Sequence, residues 1–220
     1  IKKLLAQLGK TPFYKKTKPT PYDEAVSLIW YLENVFYHSV PKIYNYIQHN
    51  VYDGHPIDNE IIDLGFWPGG DRDGNPFVTT QITLDVAERL RQSILRNYYR
   101  DVRRLKRRFT FDGVHEILSK IEKRLYKHVI RSYSKVNFSQ KILLEELYAA
   151  REIIIEKHNS LFIEELNDFI NKVRIFGFHF ATLDIRQDSR VHHKAFTQIV
   201  DDLLASGDAT FPENYHQLSE

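Results

Sequence analysis

Arg72 stands between two turn-forming clusters in the run Leu64-Gly65-Phe66-Trp67-Pro68-Gly69-Gly70-Asp71-Arg72-Asp73-Gly74-Asn75-Pro76-Phe77-Val78-Thr79. Glycine and proline interrupt regular helix from both sides, so the run reads as a built loop. Gly69 and Gly70 allow close backbone approach or positive φ, and Gly74-Asn75 before Pro76 reads as a second tight turn. A guanidinium presented from such a loop suits bidentate binding of a phosphate or carboxylate, with exposed backbone amides assisting. The plainer reading is that Asp71 and Asp73 pair with Arg72 or cap the next helix, leaving a rigid corner. A calcium loop does not fit. Counted from Asp71, the sixth and twelfth positions, which that pattern reserves for Gly and Glu, hold Pro76 and Ile82.

A second cationic candidate lies in Val173-Arg174-Ile175-Phe176-Gly177-Phe178-His179-Phe180-Ala181-Thr182-Leu183-Asp184-Ile185-Arg186-Gln187-Asp188-Ser189. Phe176, Phe178, Phe180, Thr182 and Asp184 alternate with other residues at a period of two, which predicts a strand covered on both faces. Asp184 and Arg186 then share a face at its carboxyl end, with Gln187 opposite. A strand-terminal ion pair is the bland alternative.

These two stretches need elements to position them. Ile61–Phe66 is short and apolar and predicts a buried strand that delivers the glycine loop from its carboxyl end, as α/β barrels do. Thr79 or Thr80 caps a long helix whose Ile82, Val86, Leu90, Ile94, Tyr98, Val102, Leu105 and Phe109 form one apolar stripe. Asp23-Glu24-Ala25 opens an earlier helix, Pro41 is expected to interrupt it, and a further helix is expected from Lys42 to about Tyr52. Residues 113–171 read as helices with breaks: Val114, Ile117, Leu118, Ile121, Leu125 and Val129 form one stripe. Ile142, Leu143, Leu147 and Ile153 form another, and Leu161, Phe162, Leu166, Phe169 and Ile170 a third. His115, His128 and His158 lack metal-ligand spacing and read as surface positions. The expected class is mainly α with a few short strands, as one partial domain over 1–220, with 10–22 an extended Lys/Pro-rich connector.

With 42% hydrophobic residues in 220, the chain can bury a substantial core, and a net charge of +2 gives no global case for nucleic acid or membrane binding. The absence of cysteine excludes disulfides, thiolate metal sites and a cysteine nucleophile. No apolar run approaches the roughly 20 residues of a membrane span, so a cytoplasmic protein is expected. The lack of any methionine suggests processing, or an internal piece of a longer polypeptide. Arg100, Arg103, Arg104, Lys106, Arg107 and Arg108 crowd one helix end. A solvated end favoured by the helix dipole explains them; an acidic neighbour or anionic effector is the alternative, and a nucleic-acid patch lacks an accompanying aromatic platform. That face is what a non-catalytic helical binding or scaffold domain would use.

Trp67-x-Gly-Gly-Asp-Arg-Asp-Gly-Asn-Pro-x-Val-Thr resembles a signature of the phosphoenolpyruvate carboxylases. Phe176-Gly177 followed by Leu183-Asp184-Ile185-Arg186-Gln187-Asp188-Ser189 and His192 is similar to a second one, as is Lys18-Pro19-Thr20-Pro21 with Asp23-Glu24-Ala25. The resemblance runs from about Lys18 to Leu204. Val26 replaces an arginine common in the family, Asp188 is a conservative departure, and Val191 stands where an arginine usually precedes the histidine, with Arg190 one position early.

The resemblance implies a helical segment of a parallel β-barrel enzyme that assembles as a homotetramer. It implies formation of oxaloacetate and phosphate from phosphoenolpyruvate and bicarbonate with Mg2+ or Mn2+. Arg186 resembles the arginine that holds the substrate phosphate. Trp67, Gly69, Gly70, Asp71, Arg72 and Asp73 resemble the loop at the active-site mouth, with Asn75, Asp184, Gln187 and His192 in support. The family's catalytic histidine, in a T-A-H-P-T context, would precede Ile1; its metal-binding acidic pair, lysine and G-R-G-G loop would follow Glu220. This segment alone is therefore expected to be inactive and to bind no catalytic metal.

Overall fold

The computed structural model describes residues 1–11, 18–55, 57, 61–73, 75–130, 138–212 and 214–215. Helix α4, Thr80–Arg108, is its axis. Thr79 caps it by accepting the Ile82 N–H, and its four-apart stripe is buried from Val86 through Leu90, Ile94, Tyr98, Val102 and Leu105 to Phe109. Against α4 pack α5 (Val114–Ile130), α2 (Pro21–Tyr31) and α7 (Ile163–Phe176), while α6 (Gln140–Lys157) lies between α5 and α7. The expected stripes supply the contact: Leu118, Ile121 and Leu125 from α5, Leu143 and Leu147 from α6, Leu166, Phe169 and Ile170 from α7. Leu161 and Phe162 lie at the margin of this packing, where Phe162 meets the rings of Phe109 and Phe111. They precede α7 and are 49% and 41% exposed, with Phe162 in the left-handed region.

Thr20 and Asp23 form a reciprocal capping box that starts α2 at Pro21. Helix α1 (Lys2–Lys10) ends where the expected connector begins, and 12–17 of that connector lie outside the described residues. Pro41 does not break the chain into two helices. It lies inside α3 (Tyr37–Val51), which follows α2 through a π-turn at Leu32–Phe36. Proline lacks a donor and crowds the carbonyl four residues back, and the widened turn just upstream gives the helix room. Ser39 Oγ donates to the Val35 carbonyl there at 2.9 Å.

Both expected strands are shorter than their sequences suggest. β1 is Gly65–Phe66 and β2 is Thr182–Leu183, paired in parallel. Ile61 is 37% exposed, because only the last residues of its segment find a partner. The aromatic alternation at 176–180 is a helix end and a turn. Gly177 stops α7 at φ +54, and Phe180, at φ +71, donates its N–H to the Phe176 carbonyl at 2.9 Å. That turn brings Phe176 and Phe180, four residues apart, onto Tyr37, while Phe178 between them is only partly buried, so the alternation in sequence is not one of burial. Helix α8 (Ser189–Ala205) follows, with Val200 its one buried residue.

A buried polar cluster ties α3, α4 and α7 together. Asp101 accepts from the Tyr37 hydroxyl at 2.8 Å and from Lys172 Nζ at 2.7 Å. Tyr98 donates to the Gly177 carbonyl at 2.7 Å. His128, expected at the surface, is buried and stacked on Phe138, since α5 turns it toward the segment entering α6. The basic end of α4 is largely paired: Arg103 and Lys106 meet Glu122, Arg104 meets Asp101, and Arg108 meets Glu165. No helix among the described residues is long and apolar enough to cross a membrane.

Candidate functional site

The two chemistry-bearing stretches meet along a short backbone seam. Thr182 N–H donates to the Leu64 carbonyl at 2.7 Å and Asp184 N–H to that of Phe66 at 2.8 Å, which aligns β2 with β1. The seam continues past the strands, where Arg186 N–H donates to the Gly70 carbonyl at 3.1 Å and Arg72 N–H to that of Arg186 at 2.9 Å. Asp71 and Arg186 are thereby bridge partners.

The adjacent glycines make this seam possible, each facing a different neighbour. Gly69 has φ +84, and a Cβ on it would lie 2.6 Å from Val86 Cγ2 on α4. A Cβ on Gly70 would lie 2.1 Å from the Asp184 carbonyl oxygen. The loop is thus wedged between a helix and a strand end, at distances that side chains do not allow. Gly70 and Asp71 both donate their N–H to the Trp67 carbonyl, at 2.9 and 3.1 Å, which folds the turn and leaves the Trp67 side chain 51% exposed at its shoulder.

Arg186 projects from the seam with its side chain 65% exposed, and its Nη1 lies 3.9 Å from Asp71 Oδ2. That separation is too long for a hydrogen bond. Among the described residues no side-chain hydrogen bond holds the guanidinium fork, and Asp71 is its one charged neighbour, at ion-pair distance. The expected strand-terminal partner, Asp184, is not what Arg186 approaches; Asp184 Oδ2 lies toward Gly65 instead.

Arg72 is placed differently from the reading that presents it to an anion. Its Nη2 donates to Thr83 Oγ1 at 2.9 Å, and its Nε is buried without a hydrogen-bond partner. Thr83 in turn donates to the Gly69 carbonyl at 2.7 Å. Asp73 and Asn75 shape the loop: Asp73 N–H donates to Asp71 Oδ1 at 3.3 Å, and Asn75 Oδ1 accepts the Phe77 N–H at 3.1 Å. Gly74, between them, lies outside the described residues.

Gln187 and His192 belong to the start of α8 rather than to the seam. Gln187 Oε1 accepts the Asp188 N–H, and His192 N–H donates to the Asp188 carbonyl at 3.2 Å. Asp188 caps the helix. The Arg190 side chain and its backbone N–H hold the Asp188 carboxyl below its ordinary range. Arg190, one position early for the family pattern, is committed to this cap.

Among the described residues no group of three or more His, Asp or Glu side chains is placed to hold a metal ion. Thr83 is not among the residues that the sequence singles out. The available signal was its place four residues after the Thr79 cap, on the α4 face that turns toward the loop.

The phosphoenolpyruvate carboxylase family model matches residues 1–141 and 112–220. Phosphoenolpyruvate carboxylase of Vibrio vulnificus is 28% identical over 90% of this chain, and that of Acinetobacter baylyi is 28% identical over 91%. The enzyme of Nitrosomonas eutropha is 26% identical over 90% of the chain. In each case the chain spans about a quarter of the relative's length, 26%. With matches that together reach from end to end, and with both signature stretches joined in one seam, the chain belongs to the phosphoenolpyruvate carboxylase family.

Proposed function

We propose that this chain is the part of a phosphoenolpyruvate carboxylase that holds the substrate phosphate and frames the active-site mouth. The observation that carries the reading is the Arg186 guanidinium, exposed and without a hydrogen bond to described residues, at the end of a backbone seam that fixes its Cα. Attack of bicarbonate on the substrate phosphorus gives carboxyphosphate and an enolate, and concentrates negative charge on the phosphoryl oxygens. A planar guanidinium can meet two of those oxygens at once, and its place on a fixed backbone removes the reorganisation that a free cation would need.

Trp67 and the Gly69–Asp71 turn stand beside Arg186 as the wall, and Asp71 is the groundstate neighbour that the phosphate displaces. The family's divalent metal, Mg2+ or Mn2+, would supply stabilisation of the enolate oxygen; the residues described here do not fit it. Homotetramer assembly and a cytoplasmic setting belong to the same reading. The chain 1–220 alone is expected to be inactive, because its sequence contains neither the T-A-H-P-T nor the G-R-G-G pattern of the family.

The test is bicarbonate-dependent oxaloacetate formation by the full-length parent polypeptide, wild type against Arg186→Ala. Loss of most turnover in the variant, with its fold intact, supports the reading. An inactive wild type under metal-replete conditions, or an unaffected variant, overturns it.

A further inference from the structure

Thr83 is buried, at 8% exposure, one turn into α4, where a hydroxyl is not needed for packing. Its oxygen joins three groups. It donates to the Gly69 carbonyl at 2.7 Å, with the Thr79 carbonyl farther away at 3.2 Å, and it accepts from Arg72 Nη2 at 2.9 Å. Gly69 is at the same time pressed on Val86, one turn further along the helix. The loop is therefore fastened to the rigid start of α4 at two points, one apolar and one polar. From Arg72 the fastening passes directly to Arg186, because the Arg72 N–H donates to the Arg186 carbonyl and the Arg186 N–H to the Gly70 carbonyl.

We infer that Thr83 is a positioning residue: its hydroxyl fixes the glycine loop and Arg72 on α4 and so sets where the Arg186 guanidinium meets a phosphate. The inference rests on the phosphate role proposed for Arg186 above. It also changes the part played by Arg72, whose side chain serves as a strut from the loop to the helix rather than as the anion's ligand. Arg186 touches the substrate in this scheme; Thr83 acts through the seam. A buried hydroxyl that both donates and accepts cannot be replaced by an isosteric methyl without leaving the Gly69 carbonyl and the Arg72 fork short of a partner. The loop would then settle in a different place, and a small displacement at a binding group is costly for a reaction that depends on alignment.

The experiment compares Thr83→Val, Thr83→Ser and Arg186→Ala in the full-length parent, with circular dichroism to verify folding. Two readouts are taken: the KM values for phosphoenolpyruvate and bicarbonate, and inorganic phosphate binding by calorimetry. Thr83→Val is expected to raise the phosphoenolpyruvate KM and weaken phosphate binding by about tenfold. The bicarbonate KM should stay within about twofold, and Thr83→Ser should restore both values. If Thr83→Val binds phosphate as wild type does, or if Thr83→Ser is as impaired as Thr83→Val, the positioning role is overturned. A wild type that lacks turnover yet binds phosphate through Arg186 removes the carboxylase reading alone, and phosphate binding still decides the role of Thr83. A wild type whose phosphate binding is absent or indifferent to Arg186→Ala overturns both.

Discussion

Asp71 and Arg186 face each other across a parallel backbone bridge, with carboxylate and guanidinium 3.9 Å apart. The backbone hydrogen bonds around this bridge are of ordinary length, while the side-chain pair is long and open to solvent. Position is thus fixed by the main chain, and the charge of Arg186 is left available. An exposed pair of this kind contributes less than about 1 kcal/mol to stability. Its importance lies in what competes for the guanidinium.

Removing that competitor should favour the anion. In the full-length parent, Asp71→Asn keeps an oxygen for the Asp73 N–H but loses the charge, so inorganic phosphate binding is expected to tighten about threefold, within the small energy of an exposed pair. Calorimetric titration at low ionic strength reads the change. Unaltered or weaker binding would show that Asp71 does not hold Arg186 against the ligand.

Gly70→Ala tests the seam itself. The added carbon would lie 2.1 Å from the Asp184 carbonyl oxygen, a backbone atom that cannot swing aside. The strand ends must part, at an overpacking cost of about 1–3 kcal/mol, and the Arg72 and Arg186 amides should exchange hydrogen faster. Gly9→Ala is the control, since nothing lies within 4 Å of the new carbon. Native-state hydrogen exchange followed by mass spectrometry checks both; unchanged protection of the Arg186 region in Gly70→Ala would contradict the seam.

The helical framework was legible because burial imposes its period on the sequence: the stripe from Val86 to Phe109 could be read directly, and so could the Thr79 cap. Arg186 and the glycine loop were legible by composition and by resemblance. What misled was local ambiguity. Phe176, Phe178 and Phe180 fit a strand pattern, yet Gly177 ends a helix there and a turn collects the rings. Pro41 looked like a break because the compensating π-turn has no sequence mark. Thr83 and the contact of Arg72 with it were hidden for another reason: a side chain's direction depends on tertiary placement, and nothing local distinguishes a strut from a ligand.

The basic end of α4 gives a prediction about charge. Arg103 and Lys106 share Glu122, whose side chain is 18% exposed. Glu122→Gln releases both cations, so binding to a heparin column should strengthen relative to wild type. Stability should fall by about 1–2 kcal/mol, because Arg103 is half exposed while Glu122 and Lys106 are largely covered. Equal elution of the two proteins would mean that Glu122 does not restrain this charge.

The Asp101–Lys172 pair is a different case, with both side chains about a tenth exposed, 9% and 11%. Among the described residues, Lys172→Met leaves the buried Asp101 carboxylate with the Tyr37 hydroxyl and the more exposed Arg104, and should cost about 3–5 kcal/mol. Adding Asp101→Asn should recover part of that loss. Chemical unfolding of the three proteins checks this order; a double variant no more stable than Lys172→Met would show that the uncompensated charge is not the cause.

Alkaline stability follows from the same cluster. Burial, with Asp101 next in effect, raises the Tyr37 phenol well above its ordinary value of 10.0, and burial does the same for Tyr98. Above that ordinary value the unfolded chain loses these protons while the native state keeps them. The unfolded state then binds fewer protons, so stability is fully present below about pH 10 and falls as pH rises further. Each tyrosine contributes a slope of up to about 1.4 kcal/mol per pH unit. The phenolate absorbance of Tyr37 and Tyr98 should therefore appear only with unfolding. Tyr37→Phe should reduce the slope of stability against pH in that range by about half. A single smooth titration of every tyrosine without loss of helical signal would contradict the burial of Tyr37 and Tyr98 on which this rests.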